Sequence, residues 1–480
     1  MKKLLRRLLF IFLSLAVLIA LFYAEEDWRG KRAWENCRRE LEARGEVLDW
    51  SAYLPPPVPD EKNVFKVPKI AEWFVGRGET DLSKRLENPK SGWFGALDQI
   101  TNEVQAKDYL AWSDQFESDF DLIHKALKRP YARMDGDYAH PFETPVPNFV
   151  TVRIVAQTLA QRAHCYFLLN RPEPALKELT LVHDICRLLQ GAPTGKPMTL
   201  VSAMINVAIS GLYAETMAEG FQKNVWRAPQ LPVLQEQLKD INLATFMVEA
   251  FKSERAEECH FFETIRQPRI SNLFSHNRYP GDKLTFRIFL MRLKDLLPLD
   301  PEDGPHGWIY QNMVTIAKFD QKVIDDIDLT NNLVMPRKID RAQRELEKLE
   351  KLHGPYTFIA AIAIPNFAKA WQTAAYHQTM VNEAQIACAM ERYRLVHGEY
   401  PLTLNVLTPQ FIEKLPHDII GGRPSQGPGS ASQPLHYRRM SNGKFLLYSV
   451  GWNETDDKGQ VAPMKDGRSD LEIGDWVWEN

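Results

Sequence analysis

The feature that most constrains this chain is an apolar run near its amino terminus. Residues 8–24 carry no charged side chain, and charges of opposite sign flank them, namely Lys2, Lys3, Arg6, Arg7, Glu25, Glu26 and Asp27. A helix over residues 8–24 rises about 25 Å, and Leu4 and Leu5 with snorkelling arginines extend it toward the roughly 30 Å core of a bilayer. The sequence therefore predicts that residues 4–24 contact the membrane as a single transmembrane helix.

Two membrane-targeting segments share this pattern: an uncleaved signal-anchor and a cleaved signal peptide. Cleavage favours small residues one and three positions before the cut, and Phe22 occupies the third position before a cut after Ala24. This favours the uncleaved anchor and leaves cleavage as the alternative. The basic residues before Leu8 predict a cytoplasmic amino terminus and an exported body.

Length and charge limit the fold and the partners of the 456 residues after Ala24. A chain of 480 residues exceeds the usual size of one hydrophobic core, so two or three structural units are expected. The 59 basic and 62 acidic side chains show no basic face, which argues against nucleic-acid binding. Five cysteines cannot all pair, and buried unpaired thiols are the better interpretation.

The fold class predicted from patterning is mainly α. Residues 25–70 are expected to form a stalk and a Pro-rich linker, because five prolines between Tyr53 and Pro68 exclude a helix interior. Helical periodicity then dominates residues 71–354, which predicts an irregular α-helical domain of hairpin or solenoid type. One unit within it, Arg162 to Ile185, resembles a tetratricopeptide hairpin, but a shift of 34 residues finds no second copy.

The last quarter of the chain has a different pattern. An apolar segment from Phe358 is followed by a long helical pattern that stops at Gly398 and Pro401. Asn442-Gly443 then separates two strand-like segments, which is a strong signal for a two-residue hairpin. A long helix packed on a small antiparallel sheet is therefore expected in residues 355–480.

Four segments of this region resemble a known family: FIAAIAIPNFAKA, ACAMERYRLVHGEYP, LHYRRMSNGKFLLYSVGWNETDDKG and LEIGDWVW. They are similar to the type IV pilin-like proteins, and particularly to the major pseudopilin of type II secretion. The resemblance implies an α+β module, a bacterial inner-membrane location and a calcium ion in the loop after the hairpin. In this chain the implied calcium ligands are Asn453 and Glu472, with Asp457 and Asp475 as weaker candidates. Asn453 stands where the family usually has an aspartate.

Three functions remain open at this stage. The first is a non-catalytic, single-pass envelope protein whose exported helical domain and pseudopilin-like head bind an unknown protein or a surface polymer. The second is an envelope hydrolase with a site in the 129–148 loop, where Asp135, Asp137, His140 and Glu143 cluster. The third is an accessory component related to type II secretion. The short apolar segment before Pro365 argues against a pilus subunit, since a pilin needs a longer membrane helix.

Overall fold

A computed structural model describes most of the chain. The described residues are 2–76, 78–87, 100–138, 145–189, 199–264, 304–351, 354–364, 366–421, 433–463 and 469–478. The fold is mainly helical, with 66% helix and 8% strand, which confirms the predicted fold class at this level.

The first helix, α1, runs without a break from Lys2 to Ala43. Its apolar half is exposed in the structure, and burial begins at Glu26. Trp34, Cys37 and Leu41 are buried and form one apolar strip along the helix. Residues 25–43 therefore pack against the body and do not form a free stalk, because their apolar strip belongs to a core. The Pro-rich stretch also lies on the body, where Tyr131 N donates to Lys62 O.

Helices dominate the described part of residues 68–264. Their bounds are α2 Pro68–Phe74, α3 Asp81–Leu86, α4 Glu103–Ser113, α5 Glu117–Leu127, α6 Phe149–Leu168, α7 Pro172–Ile185, α8 Leu200–Gln222, α9 Gln230–Lys239 and α10 Leu243–Thr264. The α6–α7 hairpin turns at Arg171, within the segment that resembles a tetratricopeptide hairpin. The apolar helix α8 is a core helix, with 67% of its most apolar window buried.

Four further helices and a small hairpin follow residue 304. They are α11 His306–Asp325, β1 Ile327–Asp328, β2 Leu333–Val334, α12 Pro336–Glu350, α13 Phe358–Ala363 and α14 Phe367–His397. Helix α14 ends where the sequence predicts, because Gly398 adopts a left-handed conformation with φ of 85°.

Short antiparallel strands form the head, defined here as residues 399–478. The strands are β3 His417–Asp418, β4 Gln433–Pro434, β5 His436–Arg439, β6 Phe445–Ser449, β7 Val461–Pro463, β8 Ser469–Gly474 and β9 Trp476–Trp478. Strands β5, β6 and β9 make one sheet in that order, while β3–β4 and β7–β8 are separate pairs. The turn at Asn442-Gly443 joins β5 to β6, with Gly443 at φ of 81°.

Two hydrophobic cores share the long helix α14. The first half of α14, including Phe367 and Trp371, lies in a core with α1, α10 and α11. The second half, including Ala387 and Cys388, lies in a core with α5–α9 and with β6 and β9 of the head. Helix α14 also packs on α8, α9 and α10. The head is thus continuous with the helical body along this helix.

Candidate functional site

The four residues predicted to bind calcium lie in the loop that connects β6 to β9 and carries the β7–β8 hairpin. Asp475 is buried, and its two carboxylate oxygens accept hydrogen bonds from Asp457 N at 3.1 Å and Gly459 N at 2.6 Å. Burial raises the pKa of Asp475, while these two amide donors act in the opposite direction. Hydrogen bonds therefore hold the two arms of the loop together at this point.

Asn453 joins the same cluster. Its Nδ2 atom donates to Asp457 Oδ2 at 2.9 Å, and its Oδ1 atom accepts from Thr455 N at 2.9 Å. Three of the four predicted residues, Asn453, Asp457 and Asp475, are thus brought together by direct contacts.

Glu472 occupies a different position. Its side chain is 68% exposed and pairs with Lys369 on α14, at 3.9 Å. A calcium ion shared by Asn453 and Glu472 would require this carboxylate to turn from α14 toward the loop. In the ranges that the structure describes, no group of three or more His, Cys, Asp or Glu side chains is placed to hold a metal. Asn453, Asp457 and Asp475 supply the oxygen donors that calcium prefers, and Glu472 does not share their position.

The same loop fastens the head to α12 through contacts that the sequence did not indicate. Glu454 is buried, accepts a hydrogen bond from Arg337 N at 3.2 Å and pairs with Arg337 Nε at 3.0 Å. Trp452 Nε1 donates to Asp340 at 3.1 Å. These partners are more than a hundred residues apart in sequence, so no local pattern reveals them.

A polar cavity of about 430 Å³ lies between α7, α8 and the start of α10. This volume is within the range of small-molecule sites. Ser210 Oγ donates to Asn206 Oδ1 at 3.2 Å, and both side chains are buried. Burial raises the pKa of the Cys186 thiol to about 12, so this lining residue is not a thiolate at neutral pH. The cavity is lined by His183, Cys186, Arg187, Asn206, Ser210, Tyr213, Asp240, Ile241, Asn242, Leu243 and Phe246.

The spacing of polar residues along α8 indicates this cavity in the sequence. Ser202, Asn206 and Ser210 recur every fourth residue along an otherwise apolar helix, which places them on one face of α8. A polar stripe inside a core helix needs polar partners or a polar cavity.

A smaller cavity, of about 190 Å³, lies between the end of α8 and the head. Its walls include Trp226, Phe445 and Trp478, and a polar network formed by Glu391, Arg394 and Tyr400 borders it. Tyr400 donates its hydroxyl hydrogen to Glu391 at 2.9 Å, and Arg394 pairs with the same carboxylate. This network holds the chain at the break after α14.

The loop considered for a hydrolase is described only in part. Asp135 pairs with Lys66 at 2.8 Å, and Asn148 caps α6 by accepting a hydrogen bond from Thr151 N. Both contacts are typical of an ordered surface loop. His140 and Glu143 lie outside the described residues, so the hydrolase site stays a prediction.

Comparisons with known proteins return no relative. No protein-family model, no curated protein and no solved structure matches this chain.

Proposed function

We propose that this protein is a non-catalytic, membrane-anchored protein of the bacterial envelope, and that its helical body and head bind a protein or a surface polymer. The observation that carries the proposal is the division of α1 into an exposed apolar half and a buried half. Leu9, Phe12 and Leu18 are all more than 60% exposed on this helix, and water is a poor environment for so long an apolar surface. A bilayer would cover it.

The proposed topology places residues 4–24 in the inner membrane, the amino terminus in the cytoplasm and the body in the periplasm. The charges on either side of the apolar half support this orientation. Protease added to intact spheroplasts is expected to digest a carboxyl-terminal tag, while a cytoplasmic control protein survives. A protected tag would contradict the exported body, and recovery of the protein in the soluble fraction would contradict the anchor.

The environment of α14 supports a binding role over assembly into a pilus. Pilin-like subunits assemble through an exposed amino-terminal helix, whereas both halves of α14 are buried in cores of this chain. A helix that is covered along most of its length by the cores of its own chain offers little apolar surface for a helical bundle between subunits. The helix-and-sheet arrangement of residues 367–478 supports the pseudopilin resemblance as a reused fold, and a link to type II secretion remains the alternative.

We also propose that a calcium ion stabilises the loop between β6 and β9. The meeting of Asn453, Asp457 and Asp475 supports it. A ligand that binds only the folded state at a hundred times its dissociation constant adds about 2.7 kcal/mol. We therefore expect the melting temperature of the purified full-length protein to rise in millimolar calcium relative to chelator.

Two variants locate this effect. Asp475→Asn should abolish the response to calcium, while Asp240→Asn, at the rim of the polar cavity, should retain it. Identical melting curves of the unmodified protein in calcium and in chelator would remove calcium from the proposal and leave the anchor and the binding role unaffected.

A further inference from the structure

The membrane-facing end of the body is built around one buried carboxylate. Glu26 is 4% exposed, although it lies only two residues beyond the apolar half of α1. Its oxygens accept hydrogen bonds from Tyr356 at 3.0 Å and from Trp308 Nε1 at 3.2 Å, and they pair with Arg29. The Arg29 partnership lowers the pKa of Glu26, so the carboxylate is charged at neutral pH. Three separate parts of the chain thus meet at the point where α1 leaves its apolar half.

At this junction α1 and α11 approach so closely that their backbones are in contact. Gly307 N donates to Asp27 Oδ1 at 2.8 Å, which ties the first turn of α11 to α1. A Cβ atom on Gly30 would overlap the backbone of Gly307, and one on Gly307 would overlap the backbone of Glu26. Only glycine at both positions allows the two helices to approach this closely.

A second contact fixes the direction of α11. At the far end of the helix pair, Arg44 donates two hydrogen bonds to Asp325, at 2.7 and 2.8 Å. Gly307 lies beside Glu26 and Asp325 lies beside Arg44, so α1 and α11 run parallel. Because α1 is one continuous helix, the direction of its apolar half also sets the direction of α11.

Aromatic side chains surround the junction. Trp28 is 61% exposed and lies beneath the Arg32 guanidinium, while Tyr356 is partly exposed and packs edge-on against Trp308. Tryptophan and tyrosine favour the interface between lipid and water, where the ring is buried and the polar edge is hydrated.

We propose that the surface formed by Trp28, His306, Trp308 and Tyr356 lies against the lipid headgroups, and that the Glu26 and Gly30–Gly307 junction holds the body at a fixed height above the bilayer. This inference rests on the proposed membrane anchor. The partner is the lipid surface itself, because the surface is continuous with the exposed apolar half of α1. Helix α11 then rises away from the membrane, with His306 at its lower end.

Two exposed positions on α11 test this arrangement. His306→Cys and Lys318→Cys each introduce one accessible thiol, since the five native cysteines are buried. The two positions differ by about 18 Å along the helix, and the headgroup layer is only about 5–8 Å thick. Each variant of the full-length protein is labelled with an environment-sensitive fluorophore and placed in phosphatidylcholine nanodiscs that carry a nitroxide on the headgroup.

We expect headgroup nitroxides to quench the label at position 306 at least about twofold more than the label at position 318, because only the first lies within the headgroup layer. The same proteins in nanodiscs without nitroxide give the unquenched reference. Equal quenching at both positions, in protein that has entered the nanodisc, overturns the inference and leaves the anchor standing. Protein that does not enter the nanodisc overturns the anchor, and the inference with it.

The junction is tested by adding Gly30→Leu to each labelled variant. Overlap with Gly307 should separate α1 from α11, so the difference in quenching between positions 306 and 318 should fall. The near-isosteric Glu26→Gln offers a second route, because it removes the charge that pairs with Arg29 and leaves the packing intact. A difference that persists unchanged in both variants would show that the junction does not set the height of the body.

Discussion

Glu383 lies on α14, and its carboxyl group is buried where this helix packs against the head. Its Oε1 atom lacks a hydrogen-bond partner within the described part of the chain, and the buried carboxylate of Asp418 lies nearby. Burial first, and then the negative charge of Asp418, raise the pKa of Glu383 well above its ordinary value. Asp418 is better satisfied, since it accepts hydrogen bonds from Ser449 Oγ at 2.7 Å and Ile420 N at 3.1 Å.

This arrangement makes stability depend on pH. A carboxyl with a raised folded-state pKa contributes its full stability below the unfolded value of about 4.3, and loses it as the pH rises through the folded value. Glu383→Gln removes the titration, so we expect it to increase the free energy of unfolding at pH 8 by about 1–2 kcal/mol and to have little effect at pH 4. Thermal melts of the full-length protein across this range measure the effect, with the exposed Glu413→Gln as control. A variant that follows the unmodified protein at every pH would contradict the assignment.

Among the helices, Arg162 on α6 is the residue that ties most neighbours together. Its guanidinium donates to Ser113 at 2.6 Å, Asp114 at 3.0 Å, Glu117 at 3.0 Å and Glu178 at 2.9 Å, and it is almost completely buried. Burial raises the pKa of Glu178 to about 7, while the adjacent guanidinium opposes that rise. One side chain thus connects α6 to α7 and to the junction between α4 and α5.

Lysine cannot reproduce this geometry, because a single ammonium group lacks the planar fork that reaches four acceptors. We expect Arg162→Lys to lower the free energy of unfolding by about 1–3 kcal/mol, since some buried acceptors lose their donor. Chemical denaturation of the full-length protein measures the change. Arg153→Lys is the matched control, because Arg153 is exposed on the same helix. Equal effects of the two substitutions would contradict the role assigned to Arg162.

The sequence predicts where helices and turns end better than it predicts which other parts of the chain they pack against. The end of α14 at Gly398 and the turn at Asn442-Gly443 follow from local chemistry, and the structure has both. On α14, Phe367, Trp371 and Cys388 are buried, whereas Leu395 is 45% exposed in the last turn. Periodicity locates one apolar face, but α14 is buried on several, and the pattern does not identify what covers them. The Glu454–Arg337 pair and the site of Glu472 depend on such long-range packing.

At the scale of the whole molecule, residues 25–43 belong to the folded body even though they continue the apolar helix. Trp34, Cys37 and Leu41 lie in the core that also contains Phe251, Met313 and Trp371. Arg255 on α10 is buried and pairs with Glu46, just beyond α1, at 2.7 Å. Removing the whole of α1 would therefore open a core, whereas removing only its apolar half would not.

Two truncations separate these cases. Deletion of residues 1–24 should leave a folded protein that no longer needs detergent, because every side chain in residues 3–24 is exposed and none belongs to a core of the described chain. Deletion of residues 1–43 also removes three buried apolar side chains, each worth about 1.5–3 kcal/mol, and exposes the surface that they cover. We expect that protein to aggregate or to melt far lower. Size-exclusion chromatography and circular dichroism compare the two proteins, and Trp34→Ala in the shorter deletion should cost about 3–5 kcal/mol. Equal melting temperatures of the two truncated proteins would show that residues 25–43 do not stabilise the folded body, which would contradict the role assigned to them here.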